Sequence, residues 1–212
     1  MSTAPRQLGL LAQLACIWEA TAQKPGNVHR FADFADSSYL DFLMSAAAIA
    51  PVFDRADRLS VGELVLAAIQ QAQNVVRTNA HLGTVLLLAP LAKAAPSILV
   101  SEVLRALTVG DAELVYEAIR RAAPAGLGEV PEQDIRARPT QTLREVMALA
   151  ADRDLVARQY VSNFQDVYSL GVAALRHGLE RFGAVEPAII DCFLQLLARH
   201  PDSLIEIGRA HV

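Results

Sequence analysis

The sequence predicts an all-α fold, a single-domain multi-helix bundle built around a buried central helix. Apolar residues recur at spacings of three and four along almost the whole chain, which is the period of a helix with a buried face. No segment alternates apolar and polar residues for long enough to predict a strand. Hydrophobic residues make up 53% of the 212, and much of this content is alanine and leucine, which favour helices.

The bulk properties narrow the function classes. The length suits one domain over residues 1–212, and a charged fraction of only 20% excludes disorder. A net charge of -4 argues against a broad nucleic-acid surface, which needs clustered Lys and Arg, but leaves a small anionic ligand open. Neither a signal peptide nor a membrane span is predicted. Cys16 and Cys192 lie in apolar helical patterns, so we expect buried thiols in a cytoplasmic protein.

Breakers and caps divide the first third of the chain. The pattern predicts helices at 7–22, 38–50 and 60–77. Pro25 and Gly26 end the first helix, and Pro51 follows the second. Ser60 and Glu63 have the spacing of a capping box, in which each side chain bonds the other residue's backbone N–H. These two residues therefore mark the start of the third helix.

Residues 82–94 are apolar on nearly every side, which predicts the buried central helix, with a kink at Pro90. Ser101 and Asp111 are the predicted caps of two short helices, and the stretch 112–123 is amphipathic. The longest irregular segment, 124–139, follows. The remaining predicted helices are 140–163, 165–182 and 187–199.

A polar loop, residues 24–36, connects the first two helices and reads Lys-Pro-Gly-Asn-Val-His-Arg-Phe-Ala-Asp-Phe-Ala-Asp. Loops held by a rigid scaffold often carry binding and catalytic groups. Lys24 and Arg30 can hold phosphate oxygens, and the backbone at Gly26 can approach a ligand closely. Asn27 and His29 belong to the same candidate binding group. The alternative is a solvated connection whose charges face water.

Carboxylates lie in and around this loop. Asp33, Asp36 and Asp41 supply hard oxygen ligands of the kind that hold Mg²⁺ beside a substrate phosphate. Glu19 and Ser45 lie in the adjoining helices and complete this first polar segment. Two simpler interpretations stay open: Glu19 is merely exposed, and Asp41 lies in the first turn of a helix that Ser38 caps.

Two further polar segments occur later. Asn79, His81 and Gly83 lie at the start of the central helix, where outward-pointing backbone N–H groups form a natural anion site. The alternative is an ordinary cap with a surface histidine. The third polar segment runs from Asp152 through Arg158, Gln159 and Tyr160 to Asn163 and Asp166. Asp154 and Arg158 are four residues apart on a predicted helix, so they either contribute to a site or form a surface ion pair.

The fourth polar segment is at the C-terminal end. Asp202 is a candidate metal ligand or the cap of a last turn, and Arg209 is a candidate binding residue in the tail. The chain contains no Walker phosphate loop, no dinucleotide-binding G-x-G-x-x-G, no G-x-S-x-G elbow, no H-E-x-x-H and no paired C-x-x-C. Metal-hydrolase and serine-hydrolase interpretations are therefore disfavoured.

In this order, the four segments resemble the triphosphoribosyl-dephospho-CoA synthase family. Its members carry a K-P-G-x-V-x-R segment, a D-F-x-x-S-A helix, an N-T-H/N-x-G turn and a late D-S/T pair. The matching residues are Lys24-Pro25-Gly26, Val28, Arg30, Asp41-Phe42, Ser45-Ala46, Asn79, His81, Gly83 and Asp202-Ser203. The ordered set spans nearly the whole chain and is more specific than any single motif.

The resemblance implies an all-helical transferase that takes ATP and 3′-dephospho-CoA, expels adenine and joins the ribose C1″ to the acceptor 2′-hydroxyl. Its transition state is expected to resemble an oxocarbenium ion. One of Glu19, Asp33 or Asp41 would act as the base on that hydroxyl or stabilise positive charge on the ribosyl ring. By the same resemblance, the phosphate-binding residues would be Lys24, Arg30 and His81, and the Mg²⁺ ligands Asp36 and Asp202.

The chain also departs from the family pattern. Leu82 stands where the decarboxylase branch has the lysine of N-T-H-K-G, and Ser203-Leu204 replaces the end of G-D-T-N. Residues 27–30, 126–128 and 152–160 look closer to shorter homologues in archaea and in bacteria that use tetrahydromethanopterin. That cofactor contains an α-ribosyl phosphate on a ribitol hydroxyl, the same type of bond.

We therefore expect a ribosyl or phosphoribosyl-type transferase of cofactor biosynthesis, with a nucleotide or phosphoribosyl donor and a cofactor-precursor acceptor. Two alternatives stay open: a Mg²⁺-dependent hydrolase of an N-glycosidic or phosphate bond, and a non-catalytic nucleotide- or pterin-binding protein. The composition is compatible with a homodimer as well as with a monomer.

Overall fold

The computed structural model describes residues 7–78, 80–95, 98–122 and 137–200. Within these ranges the backbone forms ten α-helices and no strand apart from one isolated bridge between His29 and Ala32, so the all-α prediction is confirmed. The helices are α1 Leu8–Thr21, α2 Tyr39–Phe53, α3 Val61–Gln73, α4 Leu82–Ala94, α5 Val100–Arg105, α6 Val109–Ala122, α7 Leu143–Ala150, α8 Leu155–Ser162, α9 Val172–Phe182 and α10 Val185–Arg199. No helix in the described part of the chain is long and apolar enough to cross a membrane. The single-domain assignment stays a prediction.

Helices α1 and α2 form an antiparallel pair that holds both ends of the polar loop. The Gly9 N–H donates to Asp54 Oδ1 at 2.8 Å at one end, and the Thr21 and Tyr39 hydroxyls lie 3.0 Å apart at the other. A Cβ on Gly9 would come within 2.2 Å of the Ala50 carbonyl oxygen, so only glycine allows this approach. The loop is therefore a closed connection across the end of a tight helix pair.

Two predicted helix ends were wrong. Helix α2 continues through Pro51 to Phe53, because Val52 and Phe53 are fully buried and their packing outweighs the one hydrogen bond that proline cannot make. Helix α3 starts at the predicted Ser60–Glu63 capping box but ends at Gln73 instead of 77. Weak helix formers, Asn74 and two β-branched valines, follow it.

Helix α4 has the predicted bounds and packs against α3, α5 and α8, which confirms a buried central helix; the kink at Pro90 stays a prediction. The Tyr160 hydroxyl, fully buried, donates to the Leu86 carbonyl at 2.7 Å and ties α8 to this helix. The first turn of α4, which contains Gly83, therefore has α8 as its neighbour.

The cap predictions for α5 and α6 were wrong. Helix α5 begins after Leu99, without a side-chain cap, and includes Ser101. Asp111 lies inside the first turn of α6, where its N–H donates to the Thr108 hydroxyl at 3.1 Å and its carboxylate accepts from the Thr108 N–H at 2.9 Å. The cap is thus Thr108, three residues earlier.

The predicted helix at 140–163 is two helices, α7 and α8. Asp154 ends the linker between them and caps α8, because its Oδ1 accepts from the N–H groups of Val156 and Ala157. The predicted helix at 165–182 has the predicted extent and contains a π-helical turn at Val167–Gly171 before α9. Helix α10 begins two residues before the predicted 187. Most of the predicted irregular segment 124–139 lies outside the described residues.

Candidate functional site

Five polar side chains are buried among the described residues: Lys24, Ser45, His81, Asp111 and Gln159. The first three are predicted site residues, and they come from the polar loop, α2 and the N-cap of α4. His81 Nε2 lies 3.0 Å from the Phe42 carbonyl oxygen, one helical turn before Ser45, and its ring packs edge-on against Phe42. Glu19 and Lys24 both act electrostatically on His81. The first and second polar segments therefore meet in one place.

Lys24 and Glu19 form the charged centre of this place. The Lys24 ammonium forms an ion pair with Glu19 Oε1 and donates to the Glu19 carbonyl at 2.6 Å. The side chain of Lys24 is only 5% exposed, whereas that of Glu19 is 38% exposed. Gly26, with a φ of 74°, adopts the left-handed conformation that turns the loop here. The pair thus presents its carboxylate, not its ammonium, to solvent.

His81 is neutral in the folded protein. Burial lowers the pKa of its imidazole, and this outweighs the Phe42 carbonyl and Glu19, which favour the charged form; Lys24 lowers it further. A carbonyl can only accept, so Nε2 carries the ring proton and Nδ1 keeps a lone pair. Nδ1 has no hydrogen-bond partner in the described part of the molecule. The ring therefore offers an acceptor.

Three hydroxyl groups are also buried without a hydrogen-bond partner within the described ranges: the Oγ of Ser45, the Oγ1 of Thr78 and, in the last turn of α8, the Oγ of Ser162. Unpaired buried polar atoms cost free energy, so each calls for a ligand or water partner. Thr78 was not predicted, although its position beside Asn79 was a usable signal. Asn79 itself lies outside the described residues.

The remaining loop side chains are more exposed. Arg30 donates to Glu186 Oε2 of α10 at 2.7 Å and lies over the Phe31 ring. Asp33 Oδ1 accepts from the Tyr39 N–H at 2.7 Å, and Asp36 Oδ1 accepts from the Ser37 hydroxyl at 3.2 Å. The other loop candidates make only local contacts: Asn27 Nδ2 donates to the Pro25 carbonyl, and His29 Nδ1 accepts from the Phe31 N–H.

Asp41 has the capping role that the sequence left open. Its Oδ2 accepts from the Ser38 N–H at 2.8 Å and from the Ser38 hydroxyl at 2.7 Å, which completes a capping box at the start of α2. One of the two carboxylate oxygens of Asp41 is thus engaged in the cap. Among the three predicted carboxylates, Glu19 is therefore the one that lies beside His81 and Lys24.

The third segment adjoins the second through α4 and α8. Gly83 is exposed, and the nearest atom to a Cβ built there would be Val156 Cγ2 at 3.9 Å. Arg158 pairs with Asp166 at 3.1 Å instead of with Asp154. His200 Nε2 lies 3.9 Å from the same Asp166, so α10 ends near Arg158. Asp202, Ser203 and Arg209 lie outside the described residues.

The third polar segment includes Gln159, Asn163 and Asp166, but the sequence did not predict how they contact one another around Arg158. Gln159 Nε2 donates to Asp166 Oδ2 at 2.9 Å and to the Leu155 carbonyl at 3.2 Å, which leaves its buried Oε1 without a partner among the described residues. Asn163 and Phe164 both have positive φ, 56° and 61°. Asparagine tolerates this conformation.

No three His, Cys, Asp or Glu side chains in the described ranges come together as a preformed metal site. Mg²⁺ does not need one, because it is usually bound by one or two carboxylates together with substrate phosphates and water. The exposed carboxylate of Asp36 fits that mode. The predicted second ligand, Asp202, is not among the described residues.

The family model "CitG: ATP:dephospho-CoA triphosphoribosyl transferase" matches residues 5–207 of this chain. The matched range contains the polar loop, the start of α4, α8 and the predicted Asp202. No curated protein matches the chain, and no solved structure does.

Proposed function

Because the chain belongs to the ATP:dephospho-CoA triphosphoribosyl transferase family, we propose that it moves a ribosyl or phosphoribosyl group from a nucleotide-type donor to a hydroxyl of a cofactor precursor. The name of the family gives ATP as the donor and dephospho-CoA as the acceptor. The observation that carries the proposal is that the buried side chains of Lys24 and His81 lie beside the part-exposed side chain of Glu19, with the buried Ser45 one helical turn beyond the Phe42 carbonyl that His81 contacts. Burying polar groups in an apolar helical core costs free energy unless they are hydrogen-bonded or paired, and a bound substrate can supply such partners.

Glu19 is the proposed base. In the transfer, the bond between the ribose anomeric carbon and the leaving nucleobase breaks. The nucleobase departs with the electron pair of that bond and takes up a proton. The acceptor oxygen bonds the same carbon and gives its proton to Glu19. An ionised carboxylate at this point also stabilises positive charge on the ribosyl ring. Asp33 and Asp41 are less suited, since both accept backbone hydrogen bonds.

His81 and Ser45 are proposed to recognise hydroxyl groups. A neutral imidazole whose Nδ1 is an acceptor suits a ribose or acceptor hydroxyl better than a phosphate oxygen, which itself only accepts. Phosphates would then be bound by the guanidinium groups of Arg30 and Arg158, both more than one third exposed. Backbone at Gly26, Asn27 and Gly83 would approach the same anion.

Mg²⁺ is proposed to accompany the donor. When bound, it would neutralise phosphate charge and orient the leaving and attacking groups. Asp36 would hold it from the polar loop and Asp202 from the segment after α10. The protein would contribute by holding the polar loop in place, because the contact between the Thr21 and Tyr39 hydroxyls ties the two ends of the loop together.

The acceptor is a separate part of the proposal. At position 82 this chain has leucine, whereas the decarboxylase branch has a lysine that could contact a triphosphate. We therefore include a ribitol-bearing pterin precursor of tetrahydromethanopterin as an acceptor and phosphoribosyl pyrophosphate as a donor.

The test is the release of free adenine from Mg-ATP, measured by chromatography with and without dephospho-CoA. We expect release only with an acceptor, in equal amount to coupled product, and its loss in Glu19→Gln. Adenine release without any acceptor would indicate a hydrolase. Pyrophosphate release from phosphoribosyl pyrophosphate with the pterin acceptor alone would assign the other donor, and no turnover with any pair would refute the transferase.

A further inference from the structure

We infer that Lys24 is a positioning residue that holds the Glu19 carboxylate in its working orientation and does not contact the donor phosphates. This inference rests on the proposed function, in which Glu19 is the base. It changes the role that the sequence suggests for the first residue of the polar loop.

Burial is the first argument. A phosphate oxygen must come within about 3 Å of the ammonium nitrogen to bond it. The Lys24 side chain is 5% exposed, and two of its three N–H groups are directed to the carboxylate and the carbonyl of Glu19. The Lys24 ammonium would therefore have to break its bonds to Glu19 before it could reach a phosphate. The side chain of Glu19, which is 38% exposed, is the member of the pair that faces solvent.

The second argument is the position of Glu19 in its helix. Glu19 lies in the last turn of α1, where the helix dipole is negative and disfavours an ionised carboxylate. No basic residue of α1 occupies that turn. Lys24 supplies the missing positive charge from outside the helix, and it also bonds a last-turn carbonyl. One ammonium thus fixes both the backbone and the side chain of the same glutamate.

The third argument is the choice of cation. The chain has only two lysines, Lys24 and Lys93, against 17 arginines. Lys93 is a structural lysine whose Nζ donates to the carbonyls of Ala56, Asp57 and Leu59. Both lysines therefore bond protein oxygens, and exposed arginines such as Arg30 are the groups that can reach a phosphate.

A double-mutant cycle of Lys24→Met and Glu19→Gln, read as kcat and donor KM, tests the inference. We expect Lys24→Met to lower kcat about tenfold or more while donor KM changes less than about twofold. In the Glu19→Gln background the same change should lower kcat less than about twofold, because its partner is already neutral. A phosphate contact would instead raise donor KM about tenfold and give effects that multiply. Wild-type kcat in Glu19→Gln would also overturn the inference.

Lys93→Met is the matched control, since it removes the other internally bonded lysine and should keep wild-type kcat. Amine labelling of the wild-type protein, read by mass spectrometry, tests burial even where Lys24→Met fails to fold. We expect Lys24 to stay unlabelled with and without Mg-ATP; rapid labelling that Mg-ATP suppresses would overturn the inference. Inactive wild-type protein would refute the proposed function, whereas labelling reports on Lys24 alone.

Discussion

Asp111 shows how a buried charge can be used entirely for the fold. Its Oδ1 accepts from the Gly62 N–H of α3 at 2.8 Å, and its Oδ2 accepts from the N–H and the hydroxyl of Thr108. The backbones approach closely enough here that a Cβ on Gly62 would meet Asp111 Cα at 2.7 Å. His81 and Ser45 differ, because each keeps a buried atom without a partner among the described residues. The unpartnered atoms of His81 and Ser45 are therefore open to a ligand or a water molecule, whereas the carboxylate of Asp111 is committed to Gly62 and Thr108.

Asp111→Asn should therefore destabilise the fold in a pH-dependent way. Burial by itself raises the pKa of the Asp111 carboxyl, but hydrogen bonds from Gly62, Thr108 and Ser60 outweigh it and lower the pKa. A lowered pKa adds stability that is complete above the unfolded value of about 3.9 and is lost as the pH falls through the folded value. We expect a loss of about 1–3 kcal/mol at pH near 7.

Urea denaturation at several pH values measures this difference. The gap between wild type and variant should stay constant down to a pH of about 5 and shrink below about 4. Asp152→Asn, on an exposed turn, is the control and should change stability by less than about 0.5 kcal/mol. If the stability difference between wild type and Asp111→Asn did not shrink at the lowest pH, the charge of the Asp111 carboxylate would not be the source of the stabilisation.

Sequence reasoning at this scale found residues but not their partners. Lys24, Ser45 and His81 were predicted as binding residues from the polar segments and the family resemblance, and the structure buries all three. Glu186, the partner of Arg30, is 156 positions away, and nothing local links the two. The candidate roles of the individual residues stay predictions, since pattern and burial do not report which ligand atom a side chain meets.

At the scale of elements, the spacing of apolar residues predicted most of the helices but merged α7 and α8 into one. The ends of the helices depended on other information. The Ser60–Glu63 box was readable and gave the correct start of α3. The box at Thr108–Asp111 has the same geometry but pairs threonine with aspartate, and the box at Thr142–Glu145 lies within the stretch that was predicted as one helix from residue 140. Helix α2 passed Pro51 because of tertiary packing, which a local pattern does not contain.

Gly83 gives a prediction about the first turn of α4. It is the second residue of its helix, and Gly110 occupies the same place in α6; at each a new Cβ would have room, with nearest atoms at 3.9 Å and 3.5 Å. Alanine is intrinsically better than glycine in a helix by up to about 1 kcal/mol. We therefore expect both Gly→Ala variants to keep or slightly raise Tm.

Their activities should differ. If donor phosphate approaches the backbone at Gly83, the Gly83→Ala methyl group blocks it, and donor KM should rise about tenfold, a cost of about 1.4 kcal/mol, while Gly110→Ala behaves as wild type. Steady-state kinetics with Mg-ATP measures the difference. Equal KM values for the two variants would remove Gly83 from the site.

At the scale of the whole molecule, segments far apart in sequence come into contact. Helix α2, which follows the polar loop, meets the start of α4 through the contact between His81 and Phe42. Helix α4 meets α8 at Gly83 and Val156, and α8 meets the end of α10 through Asp166. Each contact joins elements that the sequence places separately. Their convergence was the step that composition and periodicity could not supply, because it depends on how the helices pack.

A ligand that binds these segments only when they are together must stabilise the whole fold. At a concentration about 100 times Kd, the gain is about 2.7 kcal/mol, which raises Tm by several degrees for a chain of this size. We expect this shift with Mg-ATP, a smaller one after chelation of Mg²⁺, and a smaller one in Arg30→Ala. Arg58→Ala, with a guanidinium 80% exposed on another turn, should keep the full shift. Thermal denaturation followed by circular dichroism measures it. An unchanged shift after chelation would exclude Mg²⁺ from donor binding, because phosphate charge would then be neutralised by protein cations alone.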